Sequence, residues 1–153
     1  VTTDSDGDRR ALVRALVAEF APQELPDFDL MTGVYFANPG AARRARRARD
    51  EPGASGIDLG DPTLTNLLWG VVGGLMTEMV VIGVRDGRSR LRRWRERRRA
   101  GGPEAPVPEL GESADQARRR IAKELEAAGR DHAETIAERA VERWSRRDWT
   151  PPQ

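Results

Sequence analysis

The stretch Leu64–Val84, LTNLLWGVVGGLMTEMVVIGV, decides how this chain is read. Glu78 is its one ionised residue, and an arginine-rich run, Arg85–Arg99, follows at once. So apolar a segment has to be covered by protein core, by a partner or by lipid. Its onset carries helix-start chemistry. Asp61 at the cap with Pro62 at the first helical position satisfies one orphan amide and removes another. The expectation is a central helix over 62–99, with Gly87 as a place to kink.

Inside this stretch Thr63, Asn66, Gly70, Gly73 and Thr77 recur at steps of three and four, which puts them on one stripe of a helix. Gly70 and Gly74 add a GxxxG spacing. Small residues spaced in this way let two helix backbones approach closely. Thr63, Asn66, Gly70, Gly73, Gly74, Thr77 and Glu78 are therefore the candidate helix-packing interface. A buried Glu78 has to be paired or protonated, and Arg14 is a candidate partner.

The length would also suit a bilayer. Against that, Glu78 would cost roughly 2–3 kcal/mol near the membrane centre. The arginines that follow would favour the cytoplasmic side, which forces residues 1–62 across together with their own cluster Arg43–Arg49. The first expectation is thus a core helix. A helix apolar on nearly all sides needs cover on all sides, which points a soluble form toward self-association or a partner complex.

Working outward, the spacing of Leu12, Val13, Leu16, Val17 and Phe20 predicts an amphipathic helix over Arg9–Phe20, capped by Asp8 and ended by Pro22. A short helix over 27–36 is expected in the apolar run that contains Phe28, Leu30, Met31, Val34, Tyr35 and Phe36. The alternative of a strand over Val34–Ala37 lacks a neighbour to pair with. Asn38-Pro39-Gly40 is turn chemistry. Ala41–Asp50 has helix propensity but almost no large apolar side chain, so it reads as an exposed extension or a surface for an anionic partner.

Beyond the arginine run, Gly101–Glu112 holds Pro103, Pro106 and Pro108 and reads as an extended linker over 101–112. One final helix is expected over 113–148, with Ser113 and Gln116 as a capping box and Gly129 as its weak point. Ile121, Leu125, Ile136 and Trp144 lie on its narrow apolar stripe, which suits a mobile arm docking on a partner helix. Residues 1–8 are expected to be flexible and 149–153 a tail. The fold class is all-α: a helical domain over 9–100, a linker and a separate charged helix.

Composition sets limits. The chain has 153 residues, 38% hydrophobic and 33% charged, with a formal net charge of +1. It has no cysteine, which excludes disulfides and thiolate chemistry. The start of the sequence lacks the pattern of a cleaved export signal, so a cytoplasmic location is the default expectation. Lys123 is the only lysine, and the abundance of Arg, Ala, Gly and Pro looks like high-GC coding bias of the kind bacteria show.

That bias weakens any argument from arginine content. Even so, residues 85–99 hold nine Arg against Asp86 and Glu96, with Leu91 and Trp94 interleaved. Arg88, Arg92, Arg93, Trp94, Arg97 and Arg98 are the candidate contacts for an anionic partner, a lipid surface or nucleic acid. Favourable interaction with the helix C-terminal dipole explains the same charges without a ligand.

Catalysis finds little support. The one histidine, His132, lies on a charged helix, and no nucleophile elbow, HExxH or P-loop occurs. Glu24, Asp27 and Asp29 are better explained by capping and solvation than by a metal. No catalytic residue, cofactor, metal or small-molecule substrate is expected. The functional expectation is a non-catalytic interaction module, an adaptor or regulatory subunit acting through helix–helix contact. The alternatives are membrane association through residues 64–84 and, less favoured, nucleic-acid binding through the arginine clusters.

Overall fold

The computed structural model describes residues 9–37, 63–83, 102–103, 105 and 107–150, with backbone alone for 80–83. Among the described residues the protein is all-helical, without strands. Helix α1 spans Arg9–Phe20, a 3₁₀ turn follows over Pro22–Asp27, and α2 spans Phe28–Ala37. Helix α3 is one right-handed run over 64–83. It is α-helical over Leu64–Leu68, π-helical over Trp69–Gly73 and α-helical again over Gly74–Gly83. A short 3₁₀ turn, Gly111–Ser113, leads into α4, Ala114–Ala127, and then α5, Ala133–Arg146.

One apolar core joins these helices. Leu12, Leu16, Phe28, Leu68, Trp69, Met76, Ile121, Leu125, Ile136 and Trp144 are all buried in it. The apolar side chains of the first half of α3 are therefore covered by the chain itself. Among the described residues no helix is long and apolar enough to cross a membrane.

The start of α3 differs from expectation. Thr63 is extended, at φ −61° and ψ 150°, so the helix cannot run continuously from Pro62. All four amides of the first turn are nonetheless satisfied. The Glu24 carboxylate, held by the 3₁₀ turn, accepts from the Leu64 and Thr65 amides at 2.9 Å each and from the Thr65 hydroxyl at 2.8 Å. Thr63 Oγ1 accepts from the Asn66 amide at 3.3 Å, and the Thr63 carbonyl accepts from the Leu67 amide at 3.1 Å. A carboxylate here also meets the positive end of the helix dipole. Asp61, Pro62 and the proposed extension of the helix beyond Gly83 lie outside the described residues.

Two further expectations are corrected. The single helix over 113–148 is two helices. Gly129 adopts φ +74°, and the Arg130 and Gly129 amides donate to the Leu125 and Glu126 carbonyls at 3.0 and 2.9 Å. This pair of bonds closes α4 as a Schellman motif. His132, also left-handed at φ 58°, then opens α5. The weak point seen in the sequence is thus a full stop, because glycine reaches the left-handed region at little steric cost.

The expected linker over 101–112 is a strap in the core. Ala105, Val107 and Leu110 are buried. Its carbonyls are read from both sides: Pro103 accepts from the Arg10 amide at 2.9 Å, and Pro108 accepts from Trp144 Nε1 at 2.6 Å. The Arg147 guanidinium donates to the Val107 carbonyl at 3.3 and 3.4 Å. Burying Val107 and Leu110 contributes about 1.5–3 kcal/mol each. The C-terminal helices are therefore part of the domain and not a separate arm.

Candidate functional site

The four residues expected to form a docking helix, Ile121, Leu125, Ile136 and Trp144, are buried at 0–2% exposure. Their stripe is occupied by the chain's own core, which removes them as a surface for a partner. The arginine and tryptophan candidates Arg88, Arg92, Arg93, Trp94, Arg97 and Arg98 lie outside the described residues, as does Arg43–Arg49.

The expected packing stripe on α3 does not gather into a seam. Asn66 is exposed, and Thr63, Gly70, Gly73, Gly74 and Thr77 are half-buried. A Cβ on Gly70 would meet the Tyr35 hydroxyl at 3.8 Å, and one on Gly73 would meet the Trp69 ring at 3.4 Å. One on Gly74 would meet nothing within 4 Å. The cause is the π-helical turn. It holds one more residue than an α-turn, so positions beyond it shift by one. Gly74 and Glu78, rather than Gly73 and Thr77, continue the line begun by Asn66 and Gly70.

Glu78 consequently faces solvent, contrary to the expectation of burial. It takes a two-pronged ion pair from Arg120 on α4, at 2.5 and 2.9 Å, and not one from Arg14. This hydrogen bond, reinforced by Coulomb attraction, holds the Arg120 guanidinium above its ordinary value. Thr77 turns inward instead. Its hydroxyl donates to the Gly73 carbonyl at 2.9 Å and accepts from Arg9 at 2.9 Å.

Arg9 is buried, and desolvation pushes its guanidinium down to about 10. The folded value lies below the unfolded one, so the unfolded chain binds the proton more tightly. The burial costs stability at every pH below about 10, and the cost fades as pH rises above it.

The acidic group also has structural work. Glu24 caps α3, while Asp29 pairs with Arg10 at 3.1 Å and with Arg14 at 3.9 Å. No cluster of metal-ligating side chains occurs among the described residues. His132 is exposed at the head of α5.

Among the described residues, the apolar feature left without an internal use is on α2. Its inner side is well anchored. Phe28 is buried, and Arg14 stacks over its ring at 5.7 Å. Buried Thr32 accepts from Trp69 Nε1 at 3.0 Å, and Phe36 meets the Trp69 ring edge-on at 4.9 Å.

The outer side carries Leu30, Gly33, Val34 and Ala37, all exposed, at spacings that align them along one face. Leu30 is 69% exposed and Val34 61%. A Cβ on Gly33 would meet nothing within 4 Å, so the helix surface is open there. Sequence reasoning identified Leu30 and Val34 only as bulk for the core. The signal that could have singled them out is that Asp29 is the one charge in the ten residues of α2, too few polar groups to give it a solvated side.

Compared with protein-family models, with curated proteins and with solved structures, the chain matches none.

Proposed function

We propose that the chain is a non-catalytic protein–protein interaction module of the cytoplasm, and that it docks a partner helix on the open face of α2. The observation that supports this reading is the exposure of Leu30 and Val34, side by side on a helix that is apolar on nearly every side. Single exposed apolar residues are ordinary, but adjacent large ones form a patch of the kind partners cover. Docking by i, i+3, i+4, i+7 anchors is a recurring mode of helix recognition. Among the described residues α4 and α5 present charged outer faces, and the scaffold holds α2 through Thr32, Phe28 and Phe36.

Site-specific photo-crosslinking in cells tests this. A photoreactive residue at position 30 or 34 should yield a discrete adduct, while the same residue at exposed Lys123 on α4 should not. Equal labelling at all three positions, or none at 30 and 34, would reject α2 as a docking face.

A further inference from the structure

We draw no further inference here: the strongest candidate, the exposed apolar face of α2 around Leu30 and Val34, carries nothing beyond the docking already proposed, because nothing in the structure shows what covers it.

Discussion

Helices α5 and α2 sit in one core and divide their residues differently. In α5 the apolar residues Ala133, Ile136, Ala137, Ala140, Val141 and Trp144 are all buried, and its outer side carries Glu134, Glu138, Arg139, Glu142 and Arg146. Arg139 and Arg143 further tie α5 to Glu19 on α1 at 2.9 and 3.2 Å. In α2 the buried side is short, Phe28 and Thr32, and the outer side is apolar too. The contrast separates a helix fully used in folding from one with apolar surface left over. It is on the leftover surface that the proposed docking rests.

Three substitutions sharpen or break that contrast. The largest effect is expected from Trp144→Ala. It empties a core position, orphans the Pro108 carbonyl and should cost about 3–5 kcal/mol in urea denaturation. A loss under about 1 kcal/mol would mean that the strap and α5 are not one unit with the core.

Next comes Thr32→Val, on the anchored side of α2. It removes the acceptor of the Trp69 indole with little change of shape, and about 1–3 kcal/mol should be lost. Smallest is Leu30→Ser, on the open side. Stability should stay within about 0.5 kcal/mol of the parent while association through α2 falls away. If Leu30→Ser destabilised the fold as strongly as Thr32→Val, both sides of α2 would be core and the contrast would vanish.

Much of the fold is legible in the sequence, for local reasons. The period of Leu12, Val13, Leu16 and Val17 defines α1 because a helix repeats every 3.6 residues. The same logic finds the apolar stripes of α4 and α5, but it joins them into one helix with Gly129 only as a weak point.

The strap was not legible. Pro103, Pro106 and Pro108 are the chemistry of a linker, and it is contacts from distant residues, Trp144 to the Pro108 carbonyl and Arg147 to the Val107 carbonyl, that hold the strap against the core. The candidate site was half-legible. A short helix over 27–36 could be foreseen, but which side stays open depends on where α1 and α3 come to rest. Glu78 was misplaced for a different reason: no local period in Thr63–Thr77 announces a π-helical turn.

That turn also bears on how any relative of this chain would have to be recognised. A π-turn is geometrically an α-turn that has taken in one residue, here among Trp69–Gly73, where two glycines ease the widening. A homologue without the extra residue would carry the counterparts of Arg9, Thr77, Glu78 and Arg120 in the same spatial relation, but with one position fewer between the counterpart of Arg9 and the other three. Aligned without a gap, every residue after Gly73 would be compared with its neighbour's counterpart and turned by about 100° around the helix. Kinship would then be hidden by a single-residue offset in the middle of the most apolar segment, where an aligner has least reason to open a gap.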